Sequence, residues 1–301
     1  MANQTGLIPG RIPPEEMFPA GDARFRRSFL PITVSALALN IRAIECGNPA
    51  EASVVLCVHG WACSVYSFRR LMPLIAELGM RAVAIDLPGH GLSSKPTVRE
   101  PYTLDSLAEC VIKSMDELGV SRCVLVGHSM GGPICARVAV LAPERVSALV
   151  LLAPAGSGTE LDVRVLRSLT PQFLMPLLPH LIRRWMIQLV FAAAYGSLYR
   201  PTSRDIDEYW APSQFPTFVA AMSNLLHYFE WSAGSDRGFG EISVPVAIMD
   251  GGRDNLVVRR WVQRYAEVLP NAVLTVIEDC GHVVPEEAPE AVIGAIRAMI
   301  R

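Results

Sequence analysis

A glycine-rich turn lies near the middle of the chain, in the segment Val126-Gly127-His128-Ser129-Met130-Gly131-Gly132. It follows an apolar run and opens an amphipathic segment, which is the strand-turn-helix setting that a GxSxG pattern requires. Gly127 and Gly131 leave room for a sharp turn, in which the central residue takes a strained conformation and projects its hydroxyl out of the sheet. The pattern therefore predicts Ser129 as a catalytic nucleophile.

A serine hydroxyl becomes a good nucleophile only when a base accepts its proton, and that base can lie far away in sequence. His282 stands in Asp279-Cys280-Gly281-His282, directly after the last apolar run, so we expect it at the same edge of the sheet as Ser129. We interpret the five other histidines as structural or ordinary residues: His59 and His90 in His-Gly turns, His128 turned aside by the elbow, and His180 and His227. The sequence predicts His282 as the base.

The base needs an acid that fixes its tautomer and stabilises the imidazolium. Two aspartates compete for this role in Met249-Asp250-Gly251-Gly252-Arg253-Asp254. Asp250 would end a strand, whereas Asp254 lies on a loop that can reach the loop of His282. We therefore predict a triad of Ser129, Asp254 and His282, in that chain order.

Acyl transfer also produces an oxyanion, which backbone N–H groups aimed at it stabilise by a few kcal/mol. The first predicted donor is the N–H of Met130, immediately after the nucleophile. The second is the N–H of Trp61 in the turn His59-Gly60-Trp61-Ala62, where Gly60 permits a close backbone approach.

Short β-branched runs alternate with helix-length amphipathic segments, which favours a mostly parallel sheet with helices on both faces. The expected strands are a hairpin over 29–45 and single strands over 53–58, 81–86, 122–126, 147–152, 244–249 and 273–278. The expected helices cover 66–78, 104–118, 130–141, 258–268 and 289–300.

The alternation stops over residues 157–241, which have helical character, many prolines and no convincing strand. This insertion follows the sixth strand, at the edge where such sheets place their sites. We predict a core of residues 1–156 and 242–301, with an irregular N-terminal arm over 1–28, and a helical lid over 157–241.

The composition excludes several classes of protein. Of 301 residues, 51% are hydrophobic and 19% charged, which is typical of a globular chain with a large core. The 27 basic and 29 acidic side chains give a net charge of −2, so we expect no nucleic-acid partner. Seven scattered cysteines without a CxxC pair, together with an N-terminus that lacks an apolar leader, favour the cytoplasm.

The predicted lid is locally basic. No acidic residue lies between positions 164 and 204, which contain arginines 164, 167, 183, 184, 200 and 204. We interpret this as a solvated face and expect no stable membrane contact. An anionic substrate or a lipid surface under the lid is the alternative.

Several motifs together resemble those of α/β-hydrolase-fold serine hydrolases. They are His59-Gly60, Asp86-Leu87-Pro88-Gly89-His90-Gly91-Leu92-Ser93, the elbow around Ser129, the Asp254 loop and Gly281-His282. The resemblance covers nearly the whole chain. It implies an eight-stranded, mostly parallel sheet with a helical lid after strand six.

The sequence differs from the patterns of several branches of that family, and these differences reduce the number of reactions that the chain is expected to catalyse. Epoxide hydrolases and haloalkane dehalogenases of this fold have aspartate at the elbow, where this chain has Ser129. The chain lacks the HGGPG loop of proline iminopeptidases, and Ala62 stands where cofactor-free haloperoxidases carry proline. His128 and Trp61 differ from the pattern of carbon–carbon bond hydrolases. A carboxylester hydrolase remains the first interpretation.

The sequence predicts cleavage of small to medium hydrophobic esters through an acyl-enzyme. The alternatives are a lactonase or a carbon–carbon bond hydrolase with the same triad, and a ligand receptor on this fold with negligible turnover. We expect neither a metal nor an organic cofactor, because protein groups supply the nucleophile, the base and the oxyanion donors.

Overall fold

The architecture rests on one eight-stranded sheet with the strand order β1-β2-β4-β3-β5-β6-β7-β8. A computed structural model describes residues 7–156, 167, 182–231 and 237–300. β1 pairs with β2 and β2 with β4 in antiparallel fashion, while every other neighbouring pair is parallel. The strands are β1 Phe25–Val34, β2 Leu37–Cys46, β3 Val54–Val58, β4 Arg81–Ile85, β5 Cys123–His128, β6 Val146–Leu152, β7 Val246–Gly251 and β8 Ala272–Ile277.

Helices connect the strands and cover both faces of the sheet. Those described are α1 Leu71–Glu77, α2 Leu104–Glu117, α3 Gly131–Leu141, α4 Arg184–Ala194, α5 Ser203–Trp210, α6 Phe218–Tyr228, α7 Arg259–Val268, α8 Val284–Glu287 and α9 Pro289–Met299. The mostly parallel α/β architecture expected from the sequence is confirmed.

The central strands are buried on both faces because consecutive side chains enter two different cores. In β3, Val54, Leu56 and Val58 pack into one hydrophobic cluster, whereas Val55 and Cys57 pack into the cluster on the opposite face. This explains why the strand appears in the sequence as a continuous apolar run rather than an alternating pattern.

Most element boundaries lie within one or two residues of the sequence prediction, and two of the differences have a clear physical reason. β1 begins at Phe25, so the irregular arm expected over 1–28 is wrong for its last residues, because Phe25 is buried and its backbone pairs with Cys46. β7 begins at Val246 and not at 244, since Pro245 has no N–H for the sheet. The helix expected over 66–78 is instead a 3-10 turn, Val65–Phe68, followed by α1.

The insertion does follow the sixth strand, and its described part contains α4, α5 and α6. Residues 157–166, 168–181 and 232–236 of the predicted lid lie outside the described residues, and Arg164 is among them. The assignment of the whole segment 157–241 as a lid therefore stays a prediction.

Two arginines of the basic stretch are paired with acids that come shortly after it in sequence. Arg184 Nε lies 2.6 Å from Asp207 Oδ1, and Arg204 Nη2 lies 2.5 Å from Glu208 Oε1. The positive field of this stretch is consequently weaker than the linear sequence suggests. Within the described ranges, no helix is both long and apolar enough to cross a membrane.

Candidate active site

The turn between β5 and α3 has the strained geometry expected of a nucleophile elbow. Ser129 has a φ of +53°, in the left-handed region that residues other than glycine rarely adopt. A Cβ on Gly127 would lie 2.4 Å from the carbonyl oxygen of Gly131, and one on Gly131 would lie 2.1 Å from that of Val58. Only glycine fits at these two positions, so the residue types around Ser129 follow from the sharpness of the turn.

His282 and Asp254 are joined by a hydrogen bond. The distance from His282 Nδ1 to Asp254 Oδ2 is 2.7 Å, and the two side chains are 8% and 2% exposed. The other carboxylate oxygen of Asp254 accepts hydrogen bonds from the N–H groups of Leu256 and Val257. Burial opposes the charge of Asp254, but the His282 ring and these N–H groups outweigh it and hold the pKa below its usual value. An ionised Asp254 fixes His282 with its proton on Nδ1 and leaves Nε2 as the basic nitrogen.

Asp250, the competing aspartate, lies at the end of β7 and does not take this role. Its side chain is buried, and Arg259 Nε lies 3.4 Å from its Oδ2. Burial and the neighbouring charge of Asp254 raise the pKa of Asp250 to about 6. The folded protein therefore binds the proton of Asp250 more tightly than the unfolded chain does.

This raised pKa predicts a specific pH dependence of stability. The contribution of Asp250 becomes unfavourable as the pH rises from about 4, its unfolded pKa, to about 6, its folded pKa. The neutral variant Asp250→Asn should therefore gain about 2–3 kcal/mol in free energy of unfolding relative to the wild type between pH 4 and pH 7.5. Urea unfolding at the two pH values measures this difference. Glu290→Gln, at an exposed carboxyl, is the control and should show no comparable gain; an equal gain there would contradict the prediction.

The elbow and the His282 loop lie side by side. His128 Nε2 lies 3.0 Å from the carbonyl oxygen of His282, and the two rings are 5.0 Å apart. Among the described residues, Ser129 Oγ makes no hydrogen bond to the His282 ring. Catalytic hydrogen bonds of this kind commonly tighten only in the complex with substrate. The structure thus joins His282 to Asp254 and places His128, the residue before Ser129, in contact with His282.

The turn after β3 lies against Ser129. A Cβ on Gly60 would be 2.9 Å from Ser129 Cβ and 3.4 Å from Ser129 Oγ. The carbonyl of Gly60 is held by His59 Nδ1 at 2.8 Å and by the N–H of Cys63 at 3.2 Å. Because a trans peptide points its C=O and N–H in opposite directions, these bonds fix the direction of the Trp61 N–H. Met130, whose N–H is the other predicted donor, is buried at the start of α3.

His59 and His90 support this turn, so their structural interpretation is confirmed. His59 Nε2 accepts the N–H of Leu87 at 3.0 Å, and His90 Nε2 accepts the N–H of Ala62 at 3.2 Å. Burial lowers the pKa of both imidazoles, which keeps them neutral in the tautomer that these bonds require. The loop after β4 therefore braces the loop after β3.

A buried ion pair lies beneath the same loops. Asp86 Oδ2 is 2.5 Å from Arg42 Nε, and both side chains are at most 1% exposed. Asp86 also accepts the N–H groups of Val65 and Leu92, each at 2.8 Å. Burial opposes the charge of Asp86, but Arg42 outweighs it and keeps the pKa of Asp86 below its usual value. The motif around Asp86 is recognisable in the sequence, but no sequence signal points to Arg42, its partner on β2.

Comparisons with known proteins identify the family of this chain. Residues 53–289 match the model of the α/β-hydrolase fold family. The chain therefore belongs to that family, and it is a hydrolase of the α/β-hydrolase superfamily.

Individual relatives agree with the family or with its fold. The uncharacterized hydrolase YugF of Bacillus subtilis (strain 168) is 32% identical over 81% of this chain and 88% of its own length. The dihydrolipoyllysine-residue acetyltransferase component of the acetoin cleaving system of Pseudomonas putida is 30% identical over 87% of this chain, which spans 66% of that protein. A thermophilic esterase from Thermogutta terrifontis, solved with malate bound, shares the fold with a TM-score of 0.76 at 21% identity, over 92% of this chain and 98% of that one.

Proposed function

We propose that this hydrolase is a serine carboxylester hydrolase that cleaves small to medium hydrophobic esters through an acyl-enzyme. The observation that carries the proposal is the 2.7 Å contact of Asp254 with His282, whose loop is bonded to the elbow that holds Ser129 in the left-handed conformation. Nucleophile, base and orienting acid are the three parts that acyl transfer requires.

In the proposed acylation, Ser129 Oγ attacks the ester carbonyl carbon while His282 Nε2 takes the hydroxyl proton. The negative charge that develops on the carbonyl oxygen is stabilised by the N–H groups of Trp61 and Met130. The tetrahedral adduct then collapses, the carbon–oxygen bond to the alcohol breaks, and His282 returns the proton to the leaving alkoxide. Asp254 stays ionised and stabilises the imidazolium.

Deacylation repeats these steps with water. His282 removes a proton from water as its oxygen attacks the acyl carbon, and the same N–H groups hold the second oxyanion. The bond between the acyl carbon and Ser129 Oγ then breaks, and the proton held by His282 restores the serine hydroxyl. Ester and water are converted into acid and alcohol, and the enzyme is unchanged. All of these roles belong to protein groups, so we expect EDTA to leave the rate unchanged.

The preference for hydrophobic esters is supported by the surroundings of Trp61. The indole N–H of Trp61 donates to the carbonyl oxygen of Met222 on α6, so the insertion reaches the turn that carries the proposed oxyanion donor. Phe218, Met222 and Leu225 of α6 are buried against the main core. An acyl or alcohol group at this edge would meet apolar side chains.

Labelling with a fluorophosphonate tests the proposal. We expect one covalent adduct, which peptide mass spectrometry locates at Ser129, and rapid multiple turnover of p-nitrophenyl esters from acetate to octanoate. Labelling at another serine would contradict the proposed nucleophile. Stoichiometric labelling with negligible turnover of esters and lactones would favour the ligand receptor, and cleavage of a β-diketone but no ester would favour carbon–carbon bond hydrolysis.

A further inference from the structure

The loop that carries His282 is bonded to the end of α4, a helix of the insertion. The N–H of His282 donates to the carbonyl oxygen of Ala194 at 2.7 Å. The N–H of Ser197 donates in return to the carbonyl oxygen of Asp279 at 2.9 Å. A segment distant in sequence thus pairs with the predicted base itself and with Asp279, three positions before it.

Two glycines make this close backbone approach possible. A Cβ on Gly281 would lie 2.4 Å from the carbonyl oxygen of Ala194, and one on Gly196 would lie 2.3 Å from that of Asp279. Such distances are shorter than real Cβ contacts, and the atoms met are backbone atoms that cannot rotate away. Any side chain at Gly196 would therefore displace the His282 loop or the end of α4.

One buried carboxylate holds both segments. Glu287, which is 5% exposed, accepts the N–H of Gly281 at 2.7 Å on Oε1. The N–H of Gly196 lies 2.9 Å from the same oxygen and 3.0 Å from Oε2. Hydrogen bonds to a charged acceptor are stronger than those between neutral groups, so Glu287 ties the end of α4 to the residue directly before His282.

The opposite side of His282 is held by the nucleophile elbow. His128 Nε2 donates to the carbonyl oxygen of His282, so both backbone polar groups of His282 have partners. One partner belongs to the core and the other, Ala194, to the insertion. Because both polar groups of its backbone are held, the position from which the His282 side chain reaches Asp254 is fixed.

A second anchor keeps the end of α4 in place. Tyr195 Oη donates to Glu286 Oε2 at 2.7 Å, and Arg69 Nη1 lies 2.5 Å from the same oxygen. Arg69 also reaches Asp205 on α5 at 2.6 Å. Glu286, the acceptor of the first two contacts, is the residue directly before Glu287. The insertion is therefore connected to the core at two neighbouring positions.

We propose that residues 194–196 at the end of α4, together with Glu287, are positioning residues for His282. They hold the imidazole in line with Asp254 and Ser129, and they make docking of the insertion a condition for rapid turnover. The proposal rests on the proposed role of His282 as the base. Residues 194–196 then form a fixed wall of the active site.

The variant Gly196→Ala tests it, because the added methyl group must displace the His282 loop and its backbone dihedrals tolerate alanine. The matched control is Gly240→Ala, whose added Cβ would meet only the carbonyl oxygen of Val268 at 3.8 Å. We expect kcat per fluorophosphonate-titrated site to fall about 10 to 100-fold in Gly196→Ala, with KM changed by less than about threefold, since small misalignments of a catalytic group are this costly. Gly240→Ala should match the wild type.

A measurement on His282 itself distinguishes a change in the position of its ring from general unfolding of the variant. In proton NMR of the resting protein, the Nδ1–H shared with Asp254 should give a low-field signal, because hydrogen bonds to a charged acceptor are short and strong. We expect this signal to shift or broaden in Gly196→Ala and to stay unchanged in Gly240→Ala.

Variants of Glu287 provide an independent test should Gly196→Ala not fold. Glu287→Gln keeps one oxygen for the two N–H groups but places an amide N–H near Gly196, whereas Glu287→Ala removes both contacts. The expected order of kcat is wild type, then Gln, then Ala, and the NMR signal should follow the same order. Unchanged kcat and an unchanged signal in folded variants would overturn the proposal. A wild type that turns over no ester but loses the signal in Gly196→Ala would instead refute the proposed function and keep the positioning role.

Discussion

Replacing Ser129 with alanine should lower kcat/KM for an activated ester by about 10⁴ to 10⁶-fold, because the covalent route through the acyl-enzyme is lost. The residual rate comes from the oxyanion donors and from substrate binding, which do not need the hydroxyl. Fluorophosphonate labelling should disappear completely. A stopped assay with p-nitrophenyl butyrate and a labelling gel measure both effects.

The fold of this variant should be intact, since Ser129 Oγ has no structural hydrogen bond among the described residues and alanine adopts the strained turn as readily as serine. Ser121→Ala, at an exposed serine before β5, is the matched control and should keep full activity and labelling. Near-normal turnover by Ser129→Ala would exclude the proposed mechanism.

The second large effect is expected on the stability of the fold, when the buried ion pair of Asp86 and Arg42 is broken. Asp86→Ala should lower the free energy of unfolding by about 3–5 kcal/mol, because it leaves the Arg42 guanidinium buried without its partner. The N–H groups of Val65 and Leu92 lose their acceptor as well. Guanidinium unfolding followed by circular dichroism measures the change. The turn that holds Trp61 should loosen with it, since His59 binds the N–H of Leu87, directly after Asp86.

An exposed ion pair serves as the control for this prediction. Asp116, which is 46% exposed, lies 2.8 Å from Arg145, and Asp116→Ala should change the free energy of unfolding by less than about 1 kcal/mol. Since the pKa of Asp86 is lowered in the folded state, its stabilising contribution is complete above about pH 4 and is lost as the pH falls through the folded pKa. Equal costs for the two variants at pH 7 would contradict the assigned role of the buried pair.

Through residues 194–196, the insertion would have a second role in addition to covering the site: it would position His282. In the proposed enzyme, a helix inserted after β6 would reach across the site and hold the loop after β8. Variation in the insertion could then alter turnover through His282 without any contact with the substrate.

Local sequence patterns were sufficient to predict the parts of this protein that depend on backbone geometry. The GxSxG turn predicts a strained Ser129 because only glycines fit beside it, and continuous apolar runs predict buried parallel strands. The position of Asp254 beyond the end of β7 indicated that it, and not Asp250, could reach His282. Errors occurred at element ends such as Phe25 and Pro245, where a pairing partner or a missing N–H decides the boundary.

Contacts between distant segments could not be read from the sequence in the same way. Nothing around Glu287 indicates that its carboxylate holds Gly196, some ninety positions earlier, and nothing around Arg42 indicates Asp86. The elbow predicts that the His128 side chain turns away from Ser129, but no sequence signal indicates that it donates to the backbone carbonyl of His282. The sequence alone determined the fold class and predicted the members of the triad, because turn shape and strand burial leave local signatures. Only the tertiary structure decided what holds that triad in place, because those bonds join backbone groups whose partners depend on how the whole chain packs.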